Sequence, residues 1–158
     1  MNINIRKAEM ENYDRINELY WQSDKFHQEN EPYIYEKTTD GCRSKEYMES
    51  VIYGEENFFI ILKSDIEIIG FLYAYEEIKG KLPFHKKRKI LVIDNIVVDE
   101  KHQNKGYGKK LLDYTIKYSK DNGFNDILLN VYCFNENAIK LYEEKGFKKI
   151  TQDMILKI

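Results

Sequence analysis

The chain has 158 residues, 42% of them hydrophobic and 33% charged, with a formal net charge of -2 at pH 7. This length and hydrophobic content predict one domain with its own core, spanning residues 1–158. The even balance of charge argues against a nucleic-acid or acidic-membrane partner, and no apolar run approaches the roughly 20 residues that cross a bilayer.

Two helices and three strands are predicted in the first half of the chain. Apolar residues recur every three or four positions in the predicted helices, and the predicted strands are alternating or β-branched runs. The second helix has Tyr47, Met48 and Val51 on its apolar side. Residues 63–65 connect the last two strands, which must be antiparallel because the connection is so short. The elements are a strand at 2–7, helices near 12–28 and at 44–53, and strands at 57–62 and 66–75.

The second half predicts a strand–helix–strand unit followed by a helix and a last strand. Its first strand is nearly continuous in branched apolar residues, as expected for a strand buried on both faces. The long helix stops at Asn122-Gly123, which suits a left-handed C-terminal cap. Because the chain passes from strand through helix to strand, these two strands must run parallel. The elements are a strand at 90–98, a helix at 106–121, a strand at 126–132, a helix at 135–145 and an alternating strand at 150–158.

This order of elements predicts an α/β (α+β) fold with one mixed, mostly antiparallel, twisted sheet of six to seven strands flanked by about four helices. A basic segment, residues 79–89, precedes the strand at 90–98 and contains Gly80 and Pro83. Its lysines suit a solvent-exposed hairpin tip, and they equally suit a surface that meets an anion.

The two cysteines, Cys42 and Cys133, are far apart, and neither has a histidine at metal-ligand spacing. This indicates reduced thiols and no metal site. The first nine residues lack the apolar stretch of a secretory signal peptide. We therefore expect a cytoplasmic protein.

A glycine-rich turn lies between the strand at 90–98 and the long helix. Gly106 and Gly108 allow the backbone to approach a ligand closely and to point successive N–H groups in one direction. The N-terminus of the following helix adds partial positive charge. The turn lacks the pattern of an ATP-binding P-loop and the third glycine of a dinucleotide-binding loop. It therefore predicts either a cradle for another phosphate or a plain strand-to-helix turn. Its residues are Gln103, Asn104, Lys105, Gly106, Tyr107, Gly108 and Lys109.

A second motif, Asn-x-x-Ala-x-x-x-Tyr-x-x-x-Gly-Phe, follows the turn. From the residues alone, Asn135 is equally well explained as a helix cap and Tyr142 as a core aromatic. Together with the strand that ends in Ile96-Val97-Val98 and the Gln-x-x-Gly-x-Gly turn, however, the motif closely resembles the GNAT N-acetyltransferase superfamily. The motif is formed by Asn135, Ala138, Tyr142, Gly146 and Phe147.

The resemblance implies direct transfer of the acetyl group of acetyl-CoA to a primary amine through a ternary complex, without a metal. It implies that Tyr142 is the general acid that protonates the leaving sulfur. It also implies that a bulge splays the strand at 90–98 from the strand at 126–132, so that the arm of the donor pairs with the open edge. A non-catalytic CoA-binding regulatory module is the alternative, which the presence of Tyr142 disfavours. The residues implied in donor binding are Ile96, Val97, Val98, Gln103, Asn104, Lys105, Gly106, Tyr107, Gly108, Lys109, Asn135 and Tyr142.

Asp94 is the candidate general base. It lies in the middle of an apolar run, where a carboxylate is costly unless it is paired or functional, and a structural hydrogen bond explains it equally well. Some members of the family carry a glutamate where this chain has Asn130, which cannot accept a proton at neutral pH, so Asp94 or a chain of water molecules remains. Cys133 has no histidine nearby in sequence to activate it, and we expect it to be a packing residue rather than a nucleophile.

The sequence does not choose the amine acceptor: a polyamine, an aminoglycoside-like amine, a small metabolite and a peptide N-terminus all remain open. The loop after the first helix combines carboxylates and aromatic rings that suit a cationic amine, and a solvated acidic loop explains them as well. The resemblance also allows a homodimer. The residues of this loop are Glu29, Glu31, Tyr33, Tyr35 and Glu36.

Overall fold

The computed structural model describes residues 2–41 and 43–158. Its helices and strands follow the predicted order as far as the helix after Asn135, and short 3-10 turns at Met10–Asn12 and Glu100–His102 precede the first and third α-helices. The elements are β1 (Ile3–Lys7), α1 (Tyr13–Asn30), α2 (Lys45–Tyr53), β2 (Asn57–Ser64), β3 (Ile68–Lys79), β4 (Arg88–Val98), α3 (Tyr107–Asp121), β5 (Asp126–Leu129) and α4 (Glu136–Glu144).

The described strands form one sheet in the order β1-β2-β3-β4-β5. Neighbouring strands from β1 to β4 are antiparallel. β4 and β5 are parallel, because α3 returns the chain to the end of the sheet where β4 began. The prediction of a mixed, mostly antiparallel sheet is therefore confirmed, and β5 lies at one edge of it.

Helices cover both faces of the sheet. α1 and α2 bury Leu19 and Met48 against the face that carries Phe71, which we call the α1/α2 face. α3 buries Leu111 against the opposite face together with Leu72, and α4 packs there too; we call this the α3/α4 face. Phe71 and Leu72 are neighbours in β3 and enter different cores, as the period-two alternation of a strand requires.

The helix ends follow local capping chemistry. At the start of α2, Ser44 Oγ accepts a hydrogen bond from the Tyr47 amide at 3.1 Å, as N-cap serines do. Gly123 and Gly146 follow α3 and α4 with φ of 71° and 92°, so the predicted left-handed ends are confirmed. Of the three residues predicted on the apolar side of α2, Met48 and Val51 are buried, whereas Tyr47 is exposed.

The β2–β3 connection lies later in the chain than predicted. Ser64 belongs to β2, and its Oγ accepts hydrogen bonds from the amides of Ile66 and Glu67 at 3.2 and 3.0 Å. This serine turn moves the tight bend to residues 65–67, so Ile66 is exposed and β3 begins at Ile68. The basic segment connects β3 to β4 through residues 80–87, which confirms its interpretation as a hairpin tip.

The C-terminal part of the sheet differs from the prediction. β5 ends at Leu129 rather than at residue 132, and residues 148–158 form neither helix nor strand. The described sheet therefore has five strands rather than six to seven. Alternating apolar residues favour a strand but do not supply one, because a strand needs a neighbour to accept its hydrogen bonds. Within the described ranges, no helix combines the length and apolar character needed to cross a bilayer.

Candidate active site

β4 contains a bulge at Asp94. Asn95 pairs with Tyr73 of β3, and Ile93 pairs with Ala74, the next residue of β3. Asp94 is therefore an extra residue with no partner on β3. A bulge of this kind bends the strand and disrupts its pairing locally.

β4 and β5 separate at this bulge. They pair from Ile90 and Asp126 to Ile93 and Leu129, and the pairing ends there. Because β4 continues to Val98, its peptide groups beyond the bulge have no partner on the β5 side. The bulge and the separation of the two strands that the resemblance implied are both present. We call the opening between the strands the β4/β5 fork.

The bulge also changes the side of the sheet to which residues point. Ile93 and Ile96 both contribute to the core of the α3/α4 face, although residues three apart in a regular strand lie on opposite faces. Asn95 contacts α1 on the other face, where its Oδ1 accepts a hydrogen bond from the Tyr20 hydroxyl at 3.4 Å. Asp94 and Asn95 together therefore occupy the place of a single residue in the pairing with β3, next to the α1/α2 face.

Asp94 lies in partly desolvated surroundings. The residue is exposed, yet partial burial of its carboxyl group raises the pKa above the ordinary value, and the opposing charge of Arg43 does not cancel this shift. Burial, Tyr47 and the charge of Asp94 raise the pKa of Tyr73 to about 12. Burial and Asp94 also raise the pKa of Tyr47, against the effect of Arg43. The carboxylate therefore lies among phenols that stay neutral at physiological pH.

Arg43 is the cation whose charge acts on Asp94, but its guanidinium already interacts with three other groups. Its guanidinium lies 4.2 Å from the centre of the Tyr20 ring, forms an ion pair with Asp24, and donates a hydrogen bond to the Gly41 carbonyl at 2.8 Å. Within the described ranges, Asp94 has no ion pair of its own. The site beside the bulge thus contains one carboxylate whose charge is not matched by a direct contact.

The glycine-rich turn follows β4 and opens α3. Asn104 and Gly106 adopt left-handed φ angles of 60° and 80°, and Gly106 is the N-cap of a helix whose first residue is Tyr107. A Cβ at Gly106 would meet no atom within 4 Å, so this turn borders open space. Lys105 Nζ donates a hydrogen bond to the Lys101 carbonyl at 2.9 Å, which holds one ammonium group at the turn. Free amides and the positive end of a helix make such a turn suitable for a phosphate.

Asp99 anchors the entrance to this turn. It is 2% exposed, forms an ion pair with Arg15 of α1, and accepts hydrogen bonds from Gln22 Nε2 at 3.3 Å and the Lys101 amide at 2.8 Å. Burial alone would raise the pKa of this carboxyl group. The hydrogen bonds from Arg15, Lys101 and Gln22, with the charge of Arg15, outweigh burial and lower it. Asp99 is therefore held ionised beneath the turn.

The start of α3 lies against α4 and the end of β4. A Cβ at Gly108 would lie 3.5 Å from Leu141 Cδ2 and 3.9 Å from Val98 Cγ2. The next residue of α4, Tyr142, is 8% exposed, and its ring centre lies 5.8 Å from that of Phe147. The turn, the end of β4 and the tyrosine of the second motif thus belong to one region.

The Tyr142 ring is buried, but its hydroxyl is not enclosed. Burial raises the pKa of this phenol to about 12. The hydroxyl has no hydrogen-bond partner among the described residues, whereas Asn17 Oδ1 is the one described side-chain polar atom that is both sealed from solvent and unpaired. The Tyr142 oxygen is therefore not fully sealed from solvent.

Known proteins match the chain in sequence and in structure. The sequence profile of the "Acetyltransferase (GNAT) family" matches residues 13–147. The chain belongs to the GNAT acetyltransferase family. "Uncharacterized N-acetyltransferase YhfO" of Bacillus subtilis (strain 168) is 24% identical over 94% of this chain and 92% of its own length. "N-acetyltransferase 8" of Homo sapiens is 26% identical over 60% of this chain, and the match spans 40% of the human protein.

A solved structure supports the same fold for this acetyltransferase. A mutant BH1408 protein from Bacillus halodurans superposes with a TM-score of 0.93 over 98% of this chain and 99% of its own, at 24% identity. At that identity the likeness shows the fold. Family membership makes the protein an acyltransferase enzyme.

Several residues predicted for donor binding in this acetyltransferase also have structural contacts. Gln103 Nε2 donates a hydrogen bond to the Val98 carbonyl at 3.4 Å. Asn135 Oδ1 accepts a hydrogen bond from the Ala138 amide at 3.3 Å, so its role as a helix cap is confirmed. Asn130 is exposed just after β5, and its amide cannot accept a proton at neutral pH.

An aromatic cluster that joins the end of α1 to the segment after β5 was not predicted. The His27 ring lies 5.4–5.8 Å from four other aromatic rings, and its Nδ1 lies 2.7 Å from the Ser23 carbonyl. Tyr35 donates its hydroxyl hydrogen to the Tyr132 hydroxyl at 2.9 Å. The cluster joins the end of α1, the following loop and the segment after β5, which are distant in sequence. Its members are Phe26, His27, Tyr35, Tyr132 and Phe134.

The remaining candidate residues lie away from the bulge or in solvent. Glu29, Tyr33 and Glu36 are exposed, so only part of the predicted acceptor loop packs against the body. The basic hairpin tip precedes Arg88, whereas the glycine-rich turn follows Val98 at the other end of β4, about 30 Å away at the usual rise of a strand. The basic hairpin tip therefore does not line the candidate active site.

Of the two cysteines, Cys42 lies outside the described residues. Cys133 is a free thiol and is exposed, so the prediction that it is a packing residue is wrong. It lies four residues after the end of β5, in a segment that belongs to neither a helix nor a strand. Among the described residues, no side chain contacts the Cys133 thiol as a base that could activate it.

Proposed function

We propose that this acetyltransferase transfers the acetyl group of acetyl-CoA directly to a primary amine, with donor and acceptor bound together. The observation that carries the proposal is the β4/β5 fork, which opens beside Asp94 and leads to the glycine-rich turn. Unpaired peptide groups of β4 can bind an extended ligand as an added strand would. The amine acceptor approaches from the α1/α2 face.

Residues of the turn would hold the diphosphate of the donor. The amides of residues 103–109 lie at the N-terminus of α3, which carries partial positive charge. The open space at Gly106 leaves room for a phosphate next to the backbone. Lys105 and Lys109 are exposed beside the turn and add positive charge. Asp99 and Arg15 act as positioning residues, because they fix the peptide that leads into the turn.

Peptide groups at the end of β4 would bind the arm of the donor and polarise the reacting carbonyl. The N–H groups available on the β5 side come from the segment Ile96-Val97-Val98. A preorganised N–H donor stabilises the negative charge that develops on a carbonyl oxygen during acyl transfer. Acetyl-CoA would supply the activated acetyl group as a thioester. Ile96, Val97 and Val98 would align this thioester and exclude water on the β5 side.

Tyr142 would act as the general acid. With a pKa of about 12, its hydroxyl stays protonated at neutral pH. A thiolate leaving group has a pKa of roughly 8.5, as a cysteine thiol does. Although the phenol is the weaker acid of the two, donation of its hydrogen to the sulfur as the C–S bond breaks stabilises the negative charge that develops there. Packing of the buried Tyr142 ring against Phe147 would hold its hydroxyl in position for this role.

Asp94 would act as the base that removes a proton from the incoming ammonium group. A lysine-type amine has a pKa of about 10.4, so it arrives charged and is attracted to a carboxylate that has no ion-pair partner. The raised pKa of Asp94 makes it a stronger base than an ordinary aspartate. Tyr47 and Tyr73 provide the neutral aromatic surroundings that a cationic amine prefers.

Acetyl-CoA-dependent release of free thiol, measured over a panel of amines, tests the proposal. The panel includes a linear polyamine, an aminoglycoside, an amino acid and a short peptide with a free N-terminus. At least one amine should increase thiol release above hydrolysis and should appear as its N-acetyl product by mass spectrometry. Tight binding of CoA with no acetylated product for any class would instead favour a regulatory CoA-binding module.

A further inference from the structure

A row of apolar side chains crosses three strands on the α1/α2 face. Tyr75 of β3 pairs with Val92 of β4, and Val92 pairs with Leu128 of β5. Side chains of directly paired residues point to the same face of a sheet. Tyr75 packs against the core of the α1/α2 face, so all three side chains point to that face. We call Tyr75, Val92 and Leu128 the apolar row.

The helices α1 and α2 leave the apolar row partly open. Phe71 and Tyr73, which precede Tyr75 on the same face of β3, are buried in the core beneath these helices. The three side chains of the apolar row are instead half-buried. They therefore present apolar surface to a ligand on the face that the proposed amine acceptor approaches.

The apolar row lies next to the carboxylate of the bulge. Asp94 follows Val92 by two residues, which is about 7 Å along a strand. On β3, Tyr73 pairs with Asn95, the other residue of the bulge. The centre of the Tyr73 ring lies 6.4 Å from that of Tyr75. An amine whose ammonium group meets Asp94 therefore has apolar surface within reach of the next few atoms of its body.

The carboxylates beyond the apolar row are already paired with cations. The next row on this face contains Glu77, Ile90 and Asp126. Glu77 Oε1 lies 2.8 Å from Lys79 Nζ, and Asp126 Oδ2 lies 2.7 Å from a guanidinium nitrogen of Arg88. A second ammonium group on the acceptor would therefore leave water for apolar surface and find both carboxylates of the next row already matched.

We propose that the amine acceptor is a primary amine with an apolar body, which lies along the apolar row while its ammonium group meets Asp94. The proposal rests on the proposed function and keeps its chemistry: the amine nitrogen bonds to the acetyl carbon as the C–S bond breaks. The ammonium group gives up two protons as it becomes an amide. One is released through Asp94, and the other balances the proton that Tyr142 gives to the sulfur.

Acetyl-CoA-dependent thiol release with a series of n-alkylamines from propylamine to hexylamine tests the proposal, with each N-acetyl product identified by mass spectrometry. The kcat/KM should rise about two- to fourfold per added methylene group, because each one buries more apolar surface. Cadaverine is the matched comparison: it has as many non-hydrogen atoms as hexylamine, and a second ammonium group replaces the terminal methyl group. Hexylamine should exceed cadaverine in kcat/KM at least about 10-fold.

Val92→Asp should reverse this preference, because the new carboxylate would meet the second ammonium group of cadaverine. Ile78→Asp is the matched control. Ile78 is 41% exposed in β3, but it lies three residues from Tyr75 and so points to the opposite face of the sheet. The control variant should keep the preference of the wild type for hexylamine.

A wild type that acetylates cadaverine as fast as hexylamine, or faster, overturns the proposal and leaves the proposed function intact. So does a wild type that acetylates other classes of amine but no alkylamine, and so does a Val92→Asp variant with a native circular dichroism spectrum and an unchanged preference. The comparison in the wild type decides the question even where Val92→Asp does not fold. Absence of an acetylated product with every class of amine overturns the proposed function, and this proposal with it.

Discussion

Arg15 of α1 and Asp99 at the end of β4 form an ion pair that joins residues 84 positions apart in sequence. Asp99 also receives the Lys101 amide of the turn that leads to α3. Because the aspartate is almost fully buried, the pair links the packing of α1 to the conformation of the candidate phosphate cradle. Loss of either partner should therefore affect both stability and donor binding.

Arg15→Met should lower the free energy of unfolding by about 3 kcal/mol, because Asp99 would remain buried without its counter-charge. Urea unfolding measures this change. Arg88→Met is the matched control: Arg88 forms an ion pair with Asp126 in which both side chains are nearly half exposed, so its loss should cost less than about 1 kcal/mol. Equal costs for the two variants would contradict the structural role of the Arg15–Asp99 pair.

The same pair predicts how stability depends on pH. The folded state lowers the pKa of Asp99, so its contribution is complete above the unfolded value of about 3.9 and is lost as the pH falls through the folded value. Wild type and Asp99→Asn should therefore differ most in unfolding free energy at pH 5–7, and the gap should shrink below pH 4. A gap that stays constant from pH 7 to pH 3 would show that ionisation of Asp99 does not stabilise the fold.

Gly106→Ala should raise the KM for acetyl-CoA about 10-fold or more, because a methyl group would occupy the open space at the turn. A left-handed φ also costs an alanine about 1–2 kcal/mol of stability. Gly123→Ala separates these two effects, since Gly123 also has a left-handed φ and open space around its Cβ position but lies at the other end of α3. The two variants should lose similar stability in a thermal melt, and only Gly106→Ala should lose affinity for the donor.

Local signals in the sequence predicted the parts of this site that depend on neighbours along the chain. The apolar run is interrupted by Asp94, which is the residue at which β4 bulges. Gly106 adopts the left-handed turn and Asn135 forms the helix cap that their residue types favour. The Arg15–Asp99 pair and the aromatic cluster around His27 were not predicted, because each joins segments that only the folded chain brings together. The alternation in residues 148–158 predicted a strand, but strand pairing depends on tertiary contacts, and these residues form no backbone–backbone hydrogen bond with the described chain.

Tyr142→Phe should lower kcat at least about 100-fold with little change in the KM for acetyl-CoA, because it removes the proton that the leaving sulfur receives. Its hydroxyl has no hydrogen-bond partner among the described residues, so the unfolding free energy should change by less than about 0.5 kcal/mol. Tyr118→Phe is the control, since Tyr118 lies on the same face and stacks on Phe58 with ring centres 4.0 Å apart. Unchanged turnover in Tyr142→Phe would remove this tyrosine from the reaction.

Asp94→Asn should lower kcat/KM about 100-fold and abolish the acidic limb of the pH–rate profile. Because burial raises the pKa of Asp94, that limb in the wild type should lie above the ordinary aspartate value of about 3.9. For the same reason the charged carboxylate costs the fold stability at neutral pH, so the variant should be as stable as the wild type or more stable at pH 7.

Asp126→Asn is the control for Asp94→Asn. Asp126 forms an ion pair with Arg88 where the pairing of β4 and β5 begins, away from the bulge. It should keep both the rate and the acidic limb. An acidic limb that persists in Asp94→Asn would mean that another group, reached through water, accepts the proton from the amine. Loss of rate together with loss of stability would instead make Asp94 a structural residue of the bulge, because a working base in a partly desolvated site lowers stability rather than raising it.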